Sequence, residues 1–147
     1  MANHTAREFF SVQQQEVIKQ AIIHAEADTS GEIRVHIEDH CKGDVMERAT
    51  KVFSKLKMHK TKLRNGVLFY LAVQDRKFAI LGDAGIHKAV QDAFWVSIKS
   101  GMQQQFKEGK FTEALCEGLL KTGEQLKIHF PHQRDDVNEL KDEVSFG

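Results

Sequence analysis

Gly66-Val67-Leu68-Phe69-Tyr70-Leu71-Ala72-Val73-Gln74-Asp75-Arg76-Lys77-Phe78-Ala79-Ile80-Leu81-Gly82-Asp83 is the stretch on which the fold turns. From Gly66 to Val73 no residue is charged, the pattern of a strand covered on both faces. Gln74 to Lys77 is polar and too short for anything but a tight reversal, so Phe78–Leu81 must return antiparallel beside the first run. A buried central strand with a hairpin partner follows.

Upstream, Ile33, Val35 and Ile37 alternate with Arg34, His36 and Glu38, the period of a strand with one polar face. Between the two strands, Asp44 and Glu47 form a capping box ahead of Val45, Ala49, Val52, Phe53 and Leu56 at helical spacing. A strand-helix-strand crossover makes its strands parallel, whereas the hairpin reverses direction, so the sheet is mixed and its core is βαββ. An earlier helix begins at Ser11 with Gln14 and turns Val17, Ile18, Ala21, Ile22 and Ala25 to one side, ending at Asp28-Thr29-Ser30-Gly31. Downstream, Ile86, Val90, Phe94, Ile98, Met102 and Phe106 predict one long helix, bent at Gly101 and stopped by Gly109. Thr112 caps a last helix with Leu115, Leu119, Leu120 and Leu126 facing inward until Pro131. The expected fold class is α/β: a three-layer α/β/α sandwich, Rossmann-like, with a small mixed sheet and about four helices. Residues 1–131 make one domain and 132–147 an acidic C-terminal tail, packed or mobile.

The chain has 147 residues, enough to bury a core without disulfides or a structural metal. Lys plus Arg and Asp plus Glu stand at 21 each, so no global field steers it to nucleic acid or to an anionic membrane. Cys41 and Cys116 are too few for a disulfide framework and are expected as reduced thiols. The polar N-terminus has no apolar signal core, and no run approaches membrane-spanning length. A soluble, cytoplasmic monomer is expected.

Chain direction brings three strand ends together. The first two strands start at one edge of the sheet, near Glu32 and Asn65, and the antiparallel third strand ends there at Asp83. Thr29-Ser30-Gly31-Glu32, Asn65-Gly66-Val67-Leu68, Asp75-Arg76, Gly82 with Gly85, and Phe106-x-x-Gly109 together make the chain resemble the TPM domain over most of its length. That family is named for plant thylakoid-lumen proteins linked to photosystem II repair, a related photosystem protein and a nematode receptor modulator. The resemblance implies an α/β/α sandwich, Ca²⁺ or Mg²⁺ binding in some members, and phosphatase activity proposed for the plant branch. Asp92 matches a family acidic position, while His87 and the basic middle loop stand where many secreted members are acidic.

Ca²⁺ and Mg²⁺ need several hard oxygen ligands, and the topology gathers Asp83, Glu32 and Asp28 as candidates for a shared cation site. The alternative is that Glu32 and Asp83 neutralise Arg34, Lys62 or Arg64 as surface pairs of small energetic value. Lys62 and Arg64, with the backbone donors of Asn65 and Gly66, could cradle a phosphate or carboxylate. Three functions remain open: a divalent-cation-binding domain, a metal-dependent phosphatase with Arg64 and Lys62 on the phosphate, or a protein-interaction module. The partners that follow are a metal ion, a phosphate-bearing small molecule, or a protein.

Other features read as structural. Asp135, Asp136, Asn138, Glu139, Asp142 and Glu143 lack the EF-hand order and suit a solvated tail. His36 and His40 are four strand residues apart, roughly 13 Å, too far for one ion, and are expected at the surface. Phe94, Trp95 and Phe106 are expected in the core. Neither cysteine has the downstream arginine of a cysteine phosphatase loop, and no Walker A, Gly-x-Ser-x-Gly or His-Glu-x-x-His run occurs.

Overall fold

Ser11 and Gln14 close the start of the first long helix reciprocally: Gln14 N–H donates to Ser11 Oγ at 3.0 Å, and Ser11 N–H donates to Gln14 Oε1 at 2.9 Å. Such a box satisfies two of the amide donors that a helix start leaves open. In the computed structural model, which describes residues 5–131 and 144–147, this helix is α2 (Val12–Glu26), preceded by the single turn α1 (Ala6–Phe9). Then come β1 (Glu32–Glu38), α3 (Val45–Lys55), a 3-10 turn at Met58–Lys60, β2 (Gly66–Ala72) and β3 (Lys77–Gly82). The chain continues through α4 (Ala84–Ala89), α5 (Asp92–Lys107), α6 (Phe111–His129) and β4 (Val144–Phe146).

The strands form one mixed sheet in the order β3-β2-β1-β4. β1 runs parallel to β2 from Glu32↔Gly66 to Glu38↔Ala72, and β3 returns antiparallel from Ala72↔Lys77 to Val67↔Gly82. β2 is buried at every position because it faces a core on either side. Val67, Phe69 and Leu71 join Ile33, Val35 and Ile37 under Ile18 and Ile22 of α2, Ile98 of α5 and Leu119 of α6. Leu68, Tyr70 and Ala72 pack on the opposite side with Ala49, Val52 and Phe53 of α3 and with Met58. These are the two helical layers of the α/β/α sandwich. Ile18, Ile22, Leu119 and Leu126 are fully excluded from solvent, and burying each stabilises the fold by about 1.5–3 kcal/mol.

Three features differ from the sequence expectation. The apolar period from Ile86 to Phe106 exists, but the helix is interrupted where Val90 and Gln91 adopt extended backbone, while Gly101 stays inside α5. With α1 this makes six α-helices among the described residues rather than about four. α6 starts one residue ahead of Thr112, and Leu120 points to solvent. Val144–Phe146, within the C-terminal tail expected as packed or mobile, forms a strand the sequence did not predict, parallel to β1 through Val35↔Val144 and Ile37↔Phe146. The tail carboxylates from Asp135 to Glu143 lie outside the described residues.

Candidate functional site

At the foot of the sheet Glu32 begins β1, Gly66 begins β2, and Asp83 follows β3. Glu32 is the register partner of Gly66. Asp83 N–H donates to Gly66 O at 2.9 Å and extends the β2–β3 ladder by one step. Residues opposed in a ladder project from the same face, so Glu32, Gly66 and Asp83 form a level row on the α3 side. Two strand spacings, about 10 Å, separate the outer Cα atoms, and the space over Gly66 is closed by buried Met58, whose carbonyl oxygen would lie 3.2 Å from a Cβ there. Both acidic residues are buried, at 3% and 7% exposure.

Three loops are tied around this row. Glu32 N–H donates to Asn65 O at 3.4 Å, Asn65 Nδ2 donates to Ser30 Oγ at 3.3 Å, and Asn65 N–H donates to Thr61 Oγ1 at 3.3 Å. Arg64 O accepts from Gly85 N–H at 2.8 Å and from Ile86 N–H at 3.3 Å. Gly85 permits this approach, since a Cβ there would sit 2.2 Å from Leu63 O and 2.6 Å from Arg64 O. Asn65 is 1% exposed, and its Oδ1 accepts no hydrogen bond among the described residues.

Asp83 is held from two sides. Arg64 Nε donates to Oδ2 at 2.7 Å and Nη2 to Oδ1 at 2.8 Å, while Ala84 N–H donates to Oδ1 at 2.7 Å as Asp83 caps α4. Burial alone would raise the Asp83 carboxyl, but the Arg64 fork, the Ala84 amide and the positive charge of Arg64 hold it below the ordinary carboxylate value. Arg64 therefore lies on Asp83 rather than pointing to an open phosphate cradle. Lys62 is exposed and makes no ion pair among the described residues. Asp28 is exposed in the α2–β1 turn with φ +64, where a short polar side chain tolerates the left-handed region. Among the described residues no three His, Cys, Asp or Glu side chains stand together as a ready metal cage, so Asp28 does not join Glu32 and Asp83 in one.

At the other end of β1 is a polar cluster that the sequence reading did not find. Glu38 is buried and accepts from Arg48 Nε at 2.9 Å, from Arg48 Nη2, and from Tyr70 OH at 2.6 Å. His36 Nε2 lies 3.3 Å from Glu38 Oε1, and its Nδ1 lies 2.7 Å from Ser145 Oγ on β4. Burial pushes the Glu38 carboxyl up, yet Arg48, Tyr70 and His36 overcome it and bring it down to about 2. Burial lowers His36 and raises Tyr70. His36 is therefore an interior residue, not the surface histidine expected from alternation. The available signal was the polar face of a strand next to the sheet centre, whose side chains must find partners once covered. A cleft of about 510 Å³ opens beside the cluster, bordered by Glu38, His40, Asp44, Glu47, Arg48 and Lys51. Yet no buried polar side-chain atom of Glu38, His36, Tyr70 or Arg48 lacks a partner, as in a structural network.

A family model described as the TPM domain matches residues 5–125. Among solved structures, the BA42 protein from the psychrophilic bacterium Bizionia argentinensis is 46% identical, with 95% of this chain and 97% of that chain covered and a TM-score of 0.89. The N-terminal domain of a P. gingivalis protein is 20% identical, covering 85% of this chain and 83% of its own, at a TM-score of 0.68. The N-terminal domain of the cg2496 protein from Corynebacterium glutamicum is 16% identical, covering 80% and 74%, at a TM-score of 0.63. The last two likenesses are of fold alone. No curated protein matches the chain. Among the described residues no helix is long and apolar enough to cross a membrane.

Proposed function

This chain belongs to the TPM domain family, and on that premise we propose that it binds a divalent cation, Mg²⁺ or Ca²⁺, at the foot of its sheet. The observation that carries the reading is the level row in which Glu32 and Asp83 flank Gly66, with the carbonyl oxygen of Met58 close above the glycine. Mg²⁺ keeps much of its water and is commonly held by one or two carboxylates. Two acidic residues suit an ion of that kind better than one that needs an all-protein cage. Asn65 Oδ1, buried and without a donor among the described residues, adds an unsatisfied acceptor to the neighbouring loop. Glu32 and Asp83 would be the protein ligands, and Asp28 stays outside the set. Phosphate-ester hydrolysis has less behind it, since Arg64 already commits Nε and Nη2 to Asp83. The free thiols Cys41 and Cys116 fit a reducing, cytoplasmic setting.

The test is a titration of the ¹⁵N-labelled protein with MgCl₂ and CaCl₂. Saturable amide shifts should centre on Glu32, Asn65, Gly66, Asp83 and Ala84, and Glu32→Gln should weaken binding by about tenfold. Still amides in this row at about 10 mM ion, above the range of the weakest protein calcium sites, would end the reading.

A further inference from the structure

We propose that Arg64 is a built-in competitor for the cation: its guanidinium takes the Asp83 oxygens that a divalent ion needs, must swing away for the ion to bind, and so sets the affinity of the site. The inference rests on the cation reading above.

Asp83 has little left to offer while Arg64 is in place. Oδ1 accepts from both Arg64 Nη2 and Ala84 N–H, and Oδ2 accepts from Arg64 Nε. A carboxylate has about four acceptor directions, so one remains on Oδ2, beside a full positive charge that repels a dication. Competition follows from that geometry without any further contact.

Of the two partners, Arg64 is the one able to move. Its side chain is 52% exposed against 6% for Asp83, and Asp83 is its only side-chain hydrogen-bond partner among the described residues. Its backbone, by contrast, is clasped to the start of α4 through Gly85 and Ile86. The guanidinium can therefore leave while the loop stays closed, whereas moving Asp83 would uncap α4. Arg64 also holds φ +54, a region where arginine is uncommon and Asn or Gly is at ease. Lys57 and Arg76 hold the same region, so what sets Arg64 apart is its exposed fork against a buried acid. By linkage, the ion and the guanidinium weaken each other by one shared factor.

The experiment compares Mg²⁺ and Ca²⁺ titrations of the wild type, Arg64→Gln, Arg64→Asn and the double variant Glu32→Gln/Arg64→Gln, by calorimetry and amide shifts. Gln keeps a neutral donor of similar reach and Asn suits the backbone, so a loss of fold in one leaves the other, and the amide spectrum reports which is folded. Both Arg64 variants should bind about tenfold more tightly than wild type, within the usual span of coupled equilibria, and the double variant should lose that gain. In the wild type the Arg64 Nε–H signal should shift and broaden as the ion saturates. If the wild type binds with shifts in the row, yet the Arg64 variants bind no better and the Nε–H signal stays put, the competition is overturned and the cation reading stands. If tight binding persists in the double variant, the ion sits elsewhere and the competition is overturned too. If no protein in the set binds either ion, the cation reading fails and the competition with it.

Discussion

Glu38 and His36 make acid the condition under which this protein should weaken, and the direction follows from their partners. Burial sets His36 below its ordinary value of 6.5, so the unfolded chain takes the proton first. Its contribution is complete above about pH 6.5 and is lost as pH falls below that. Glu38, brought down to about 2 from 4.5, contributes fully above pH 4.5 and loses that contribution as pH falls toward 2. Urea midpoints measured across pH at constant ionic strength should fall in these two windows. Glu38→Gln should flatten the lower window and cost on the order of 2 kcal/mol at neutral pH, because Arg48 and Tyr70 lose a charged acceptor. An unchanged acid limb in that variant would assign the loss to other groups. The sequence made the polarity of Arg34, His36 and Glu38 plain, and chain direction was enough to bring Glu32, Gly66 and Asp83 level. It could not show that Arg48, twelve residues after His36 on a different element, reaches back to Glu38, nor that Arg64 turns onto Asp83 instead of outward. Those contacts depend on side-chain reach across elements, which no local period encodes.

Between elements, α6 packs closely against α2. A Cβ at Gly123 would lie 2.6 Å from Ala25 O and 2.7 Å from Ala25 Cα. Alanine there would gain about 1 kcal/mol of helix propensity, but rigid backbone at that distance cannot give way, and overpacking of this kind costs about 1–3 kcal/mol. Gly123→Ala should therefore lower the thermal midpoint, and a rise would mean that α6 shifts without penalty. The elements themselves were legible where one local signal dominated. Unbroken apolar character marked β2, a short polar turn marked the hairpin, and Ser11 with Gln14 marked the start of α2. The break between α4 and α5 was hidden because Ile86 and Val90 are both buried, so the apolar period runs straight through extended backbone. β4 was hidden because three residues carry no period, and its pairing with β1 is decided by residues over a hundred positions away.

For the whole molecule, β4 is what keeps β1 from being an open edge. Val144, Ser145 and Phe146 pair with Val35, His36 and Ile37, and Gly147 N–H donates to Ile37 O at 3.1 Å. Removing residues 144–147 should cost on the order of 2 kcal/mol and expose unpaired backbone beside buried Val35 and Ile37, a template for strand addition between copies. Gel filtration and light scattering should show the shortened chain associating more than the full one, and an unchanged mass would show that the β1 edge is protected in some other way. The two-faced character of β1 reaches further, into how assembly avoids near misses. Sliding β1 by a single position against β2 would invert it, driving Glu32, Arg34, His36 and Glu38 into hydrocarbon and expelling Ile33, Val35 and Ile37. Charges stranded there without partners are so unfavourable that a mispaired sheet should dissolve rather than persist. The ionic stripe thus disfavours the shifted register during assembly of the sheet.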